Sequence, residues 1–146
     1  MNDDVYKAIY NKALDILSRR EHSQKELTEK LIKKFDKSEL IYNVLDKLSE
    51  KNLINDTRFS EAYVSARKRK GFGPKKILFE LISKGINENT ANEVINAEGY
   101  WKEAALIVFS KKYKAGIGKD FKEQNKQKIF LQNRGFSFEE IDSVFT

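Results

Sequence analysis

Residues 66 to 77 read ARKRKGFGPKKI, with six cations, two glycines and the chain's only proline, and no acid between Arg67 and Lys76. Arg and Lys at this density suit the holding of an anion. Arg offers a planar fork to a phosphate or carboxylate, and Lys a mobile point charge. Glycine would let the backbone come close to such a group, and a helix opened by Pro74 would add free amides and the positive end of its dipole. Proline has no N–H, so the donors would be the amides of Lys75 and Lys76. The competing reading is structural. Cations in a last helical turn complement that helix's own negative end, and Gly with Pro makes an ordinary helix boundary.

The arrangement recurs. KKYKAGIGK at 111 to 119 resembles RKRKGFGPK at 67 to 75, and Arg19, Arg20 and Ser23 stand 50 residues before Arg69, Lys70 and Gly73. Two similar corners and a partial third favour a shared use over coincidence. Other constellations are thinner. GFG lacks the third glycine of a dinucleotide loop and the Gly-Lys-Ser/Thr of a phosphate loop. His22 is the only histidine and cysteine is absent, so no partner is at hand for a metal site or a base; it reads as a local hydrogen-bonding or packing residue. Asp3, Asp4, Glu139 and Glu140 fall in first helical turns, where acids belong without chemistry. Tyr100 and Trp101, with Ala104, Ala105, Ile107 and Val108 behind them, read as buried, as do Phe59 and Tyr63. No catalytic set emerges, which speaks against an enzyme, and no cofactor or metal is implied.

Composition bounds the partners. The 146 residues carry a formal charge of +6, which suits nucleic acid, an anionic membrane face or an acidic protein groove without choosing among them. The lack of cysteine excludes a disulfide scaffold and fits a reducing compartment. No apolar run approaches the roughly 20 residues of a membrane span, and MNDDVYK lacks the features of a signal peptide. The expectation is a soluble cytoplasmic protein that does not engage a membrane.

The elements that must position the cations are helices. With one proline, seven glycines and abundant Lys, Glu, Leu and Ile, the composition favours helix, and the apolar residues recur at helical spacing, as in Leu27, Leu31, Ile32 and Phe35. SQKE at Ser23 and SFEE at Ser137 read as capping boxes, with Asp36 and Glu39 a weaker copy. Pro74 suits a first helical position, and Gly85 and Gly135 suit the left-handed residue beyond a helix end. Nine helices are expected, near 5–20, 23–35, 37–51, 56–70, 74–84, 88–97, 100–114, 119–134 and 138–145.

A shift of 50 residues superimposes Leu31, Leu81 and Leu131; Val44, Val94 and Val144; and Ile41, Ala91 and Ile141. The chain therefore reads as all-α, with three tandem three-helix repeats, helix-turn-helix-like, at about 5–53, 54–98 and 99–146. Three short helices cannot bury an apolar stripe alone, so the units should stack on a shared core as one elongated, curved solenoid domain. The two similar corners are offset by less than the repeat, which predicts a middle helix about five residues longer in the third unit.

RREHSQKELTEKLIKKF, followed by VLDKLSEKNLINDTRFSEAYVSARKRKGFGPKKILFELISKGI, resembles the RecX family of recombination regulators. The likeness is carried by Arg20, His22, Ser23, Glu26, Leu27 and Leu31, then by Leu48, Leu53, Ile54, Asp56, Arg58 and Phe59. It continues through Tyr63, Arg67, Gly71, Gly73, Ile77, Leu81, Lys84, Gly85 and Ile86. It covers roughly residues 10 to 86, and the final third matches through its helical layout. Two departures stand out: Asn55 where the family often has an acid, and Pro74 after the second glycine.

The resemblance implies a non-enzymatic regulator, monomeric, that binds the RecA recombinase filament along its groove. It would inhibit ATPase, strand exchange, and filament extension or stability, within recombination, DNA repair and the SOS response. Some members also bind DNA directly; contact with single- or double-stranded DNA through this chain's cations would carry little sequence preference. On this reading Arg58, Arg67, Lys68, Arg69, Lys70, Lys75 and Lys76 supply the central contact surface. Arg19, Arg20, Lys111, Lys112, Lys114 and Lys119 extend it along the other repeats. The alternative is a stand-alone DNA-binding protein of helix-turn-helix type, since two short helices joined by a tight turn occur in each repeat.

Overall fold

The computed structural model describes residues 2–36 and 38–146. Nine helices fill the described residues: α1 (Asn2–Leu17), α2 (Gln24–Lys34), α3 (Ser38–Glu50), α4 (Asp56–Arg69), α5 (Pro74–Ser83), α6 (Glu88–Glu98), α7 (Trp101–Lys112), α8 (Phe121–Asn133) and α9 (Phe138–Val144). Both capping boxes form, with Ser23 and Ser137 accepting from the amides of Glu26 and Glu140. Asn55, the departure from the family pattern, caps α4 by accepting from the Arg58 amide at 2.9 Å. The expected start of the third helix at Lys37 lies outside the described residues. The first helix ends at Leu17, so Arg19 and Arg20 lie in the turn beyond it.

The helices pack as triplets, α1 to α3, α4 to α6 and α7 to α9. The 50-residue register explains what they bury. Leu31, Leu81 and Leu131 are each fully inside, as are Ile41 and Ala91, with Ile141 nearly so. Removing one such leucine from water is worth about 1.5–3 kcal/mol.

Two sequence expectations need correction. The repeats do not share one continuous core: the second and third enclose a single cluster running from Phe59 to Val144, whereas the first closes its own around Ile9, Leu27, Leu45 and Leu48. The third repeat's extra length lies only partly in its middle helix. Helix α8 has 13 residues against 10 in α5, and the connection before it, residues 113–120, is longer than its counterpart at 70–73. Gln127 holds this connection, accepting from the Gly118 amide at 2.9 Å and donating to the Gly116 carbonyl at 3.1 Å, while a Cβ on Gly116 would meet nothing within 4 Å.

The joints between repeats explain the glycines. The start of α5 seats on the end of α8, where the Gly73 amide donates to the Arg134 carbonyl at 2.7 Å and the Lys75 amide to that of Gly135 at 2.9 Å. Fifty residues earlier the same joint is built with a side chain. The Ser23 hydroxyl, while capping α2, donates to the Lys84 carbonyl at the end of α5 at 2.8 Å. Gly135 has φ +100, and its Cβ would lie 2.5 Å from that of Lys76; a Cβ on Gly73 would lie 2.5 Å from the Gly135 carbonyl carbon. The expectation that Gly73 and the Lys75 amide cradle an anion is therefore corrected. That amide is occupied by a carbonyl, and the space a phosphate would need is filled by the next repeat's backbone.

Candidate functional site

The thirteen cations singled out from the sequence divide by what their heads touch. Arg67 lies along the Glu80 carboxylate, with Nε and Nη2 at 2.9 and 2.8 Å, and stacks 3.9 Å over the Phe72 ring. Tyr63 completes that bracket between α4 and α5, its hydroxyl donating to Glu80 at 2.8 Å. Burial and then this bond to the carboxylate push the Tyr63 hydroxyl up to about 12, so it stays a donor. Arg58 pairs with Glu21 and donates to the Asn52 carbonyl, pinning the first repeat to the second. Lys68 reaches Glu98 at 3.2 Å and the Gly99 carbonyl at 2.8 Å, holding the entry to α7. Arg20 lies along Glu26 at 3.2 Å, and Arg19 reaches Asp15 at 3.4 Å. Lys76 is half-buried above Phe72, and Lys75 is exposed beside Phe138.

The Glu26 carboxyl shows how much the first joint depends on charge. Burial alone would raise it, but hydrogen bonds from Arg20, the Ser23 amide and Lys84 outweigh that and bring it down to about 2. His22, beside it, packs and hydrogen-bonds locally. It is buried, with Nε2 2.6 Å from the Lys30 ammonium and Nδ1 3.0 Å from the Arg20 carbonyl. An ammonium can only donate, so Nε2 accepts and Nδ1 carries the proton.

The remaining cations supply the candidate site. A groove of about 550 Å³ runs between the last turn of α4 and the length of α7, and Lys68, Arg69, Lys70, Lys111 and Lys112 all line it. The basic ends of the opening helices of two successive repeats thus line one groove. Lys70, Lys111 and Lys112 are exposed and make no ion pair among the described residues. Among the described residues Arg69 is held only by Ser65 of its own helix. Lys114 and Lys119, expected in the same row, lie in the 113–120 connection and do not line the groove.

Three contributors escaped the sequence reading. Arg134 lines the groove from the end of α8, stacked on Phe130 at 5.3 Å; its signal was the shared register with Lys84. Tyr100 and Ile107, expected inside, are 75% and 58% exposed and line the groove as well. Gly99 and Tyr100 both take positive φ, +62 and +59, and the α6–α7 link they form leaves the tyrosine ring outside while Trp101 is buried. The helical pattern of α7 carries apolar residues around most of its circumference, which hides from sequence the face that is left uncovered.

Comparison with known proteins fixes the lineage of this architecture. Family models for the first, second and third three-helix domains of RecX match residues 10–48, 55–95 and 100–145. The chain belongs to the RecX family. A regulatory protein RecX from Halorhodospira halophila is 35% identical over 136 residues, covering 92% of this chain and 84% of that one. A Pseudomonas fluorescens RecX is 34% identical over 144 residues, covering 98% and 93%. The crystal structure of RecX from Lactobacillus salivarius superposes with a TM-score of 0.86 at 29% identity, covering 98% of this chain and 96% of that one. A second RecX crystal structure, at 22% identity and a TM-score of 0.83, agrees in fold. These relatives carry the name of a regulator. Among the described residues no helix is long and apolar enough to cross a membrane.

Proposed function

We propose that this chain regulates recombination by binding the RecA recombinase filament and inhibiting its ATPase, its strand exchange, and its extension or stability. The observation that carries the reading is the groove at which two successive repeats present unpaired cations, in a chain of the RecX family. A helical filament repeats its surface at intervals, and a tandem array repeats its own. Weak contacts at each repeat then add up to useful avidity. A filament offers phosphates inside and carboxylates on its protein, and both are drawn to such a surface. DNA contact is placed on the exposed Arg69, Lys70, Lys75, Lys111, Lys112 and their neighbours Lys114 and Lys119, with steep salt dependence and without sequence preference. Arg58, Arg67, Lys68 and Arg20 act indirectly, by holding the repeats and turns that aim the others. The reading takes the working form as a cytoplasmic monomer, with repeat boundaries near 53/54 and 98/99.

The test is RecA ATPase on single-stranded DNA, titrated with this protein. Wild type should suppress turnover. Joint substitution of Arg69, Lys70, Lys111 and Lys112 by Ala should abolish suppression at moderate salt with the helical circular dichroism unchanged. Where the strand itself is bound, losing these contacts should flatten the slope of log K against log salt by roughly 3, at about 0.7 per phosphate. Full RecA turnover in the presence of wild type would remove the reading. Sequence-selective duplex binding without RecA would replace it with the helix-turn-helix alternative.

A further inference from the structure

The groove is more than a strip of charge. Its floor is aliphatic, formed by Ala104, Ile107 and Val108 of α7, and Phe130 and Tyr100 close its sides. The rim carries Arg69, Lys70, Lys111, Lys112 and Arg134, while the Tyr100 end holds Glu98 and Glu103.

A nucleic-acid strand suits this floor poorly. Tight binding of a single strand adds to its phosphate contacts aromatic faces free for bases to stack on. Here Arg134 and Lys112 already lie over Phe130, at 5.3 and 5.4 Å, and Lys68 stands 5.8 Å from the Tyr100 ring. Aliphatic Ile107 offers a base little, and Glu103 opposes a phosphate at the Tyr100 end.

A peptide fits each feature. An apolar cleft of this volume is the size that accepts one or two bulky side chains. Cations around it favour carboxylates on either side of those anchors, and Glu103 sets the direction by repelling an acidic residue at the Tyr100 end.

We propose that the groove between the second and third repeats docks an acidic peptide segment of a partner protein. The segment buries an apolar anchor between Tyr100 and Ile107 and lays its carboxylates against Lys70, Lys111, Lys112 and Arg69. The inference deepens the filament reading by naming a protein ligand for the groove's apolar floor, its rim cations still open to phosphate, and it rests on that reading only for the identity of the partner.

The probe is a short fluorescein-labelled peptide of Asp and Glu carrying a Leu and a Phe one helical turn apart. Its controls are the same peptide with both anchors changed to Ala, and oligo-dT of equal charge. By fluorescence anisotropy with the full chain, the anchored peptide should bind at least about tenfold tighter than its Ala control, the worth of one buried side chain. Ile107→Ser should erase that advantage and leave oligo-dT binding unchanged. Lys111→Ala with Lys112→Ala should weaken both peptides alike, and circular dichroism checks the fold of each variant. Equal binding of the two peptides would overturn the inference, and so would loss of oligo-dT binding in Ile107→Ser. RecA inhibition is read separately: a wild type that inhibits RecA but ignores the anchored peptide sinks the peptide site alone, and the converse sinks the filament reading alone.

Discussion

Substituting Ala at three glycines separates backbone conformation from the seating of one repeat on the next. Gly116 has φ +91 and open space around it. Ala there meets only the left-handed penalty of about 1–2 kcal/mol. Gly73 is the reverse case. Its φ of −95 suits any residue, and restricting the unfolded chain would by itself stabilise by about 0.4–1 kcal/mol. Its Cβ, however, would stand 2.5 Å from the Gly135 carbonyl carbon and 2.6 Å from both the Gly135 oxygen and the Phe136 nitrogen. None of these atoms is the end of a flexible side chain. The third repeat must move away, at about 1–3 kcal/mol for overpacking, and two backbone hydrogen bonds at the joint stretch, at about 1 kcal/mol each. The net for Gly73→Ala is about 3 kcal/mol. At roughly 4 °C per kcal/mol for a chain of this size, Tm should fall by about 12 °C. Gly135→Ala combines both costs and should fall further; Gly116→Ala should fall by about 4–8 °C. Thermal unfolding followed at 222 nm ranks the three. A Gly73→Ala protein as stable as wild type but deficient in DNA binding would refute the joint and restore the view that this glycine clears room for an anion.

Acid titration gives a second check. A carboxyl held at about 2 in the fold against an ordinary 4.5 contributes stability that is complete above about 4.5 and disappears as pH falls towards 2. Glu26→Gln should flatten the pH dependence of urea midpoints across that window and leave it unchanged above it. A third prediction follows from the separate core of the first repeat, tied on through Gln24 to Asp56, Lys84 to Glu26 and Arg58 to Glu21. Asp56→Asn with Glu21→Gln should speed amide hydrogen exchange in α1 to α3 and leave α4 to α9 protected, measured by mass spectrometry; uniform loss of protection would mean that the three repeats open as one. Finally, Glu80→Gln should destabilise by about 2–3 kcal/mol in thermal melts, because Arg67 and Tyr63 lose a charged acceptor while Phe72 stays beneath the guanidinium. Destabilisation below about 0.5 kcal/mol would make that bracket an incidental surface pair.

The sequence alone determined the parts of this protein that local physics controls. Helix starts at Ser23, Pro74 and Ser137, left-handed ends at Gly85 and Gly135, and the threefold register of Leu31, Leu81 and Leu131 need only capping chemistry and the spacing of apolar residues. The same holds for the family, since its motif is carried by those caps, glycines and core positions. What the cations of the basic corner touch was decided only in three dimensions. Nothing within residues 66 to 77 says that Glu80 waits for Arg67, that Glu98 waits for Lys68, or that the Gly135 carbonyl claims the amide of Lys75, because each partner arrives from another helix or another repeat. For the same reason Arg134 and Tyr100 could not be placed at the groove in advance. A cation's charge is a property of its residue, but whether that charge is free to meet a partner depends on which carboxylates the fold brings within reach.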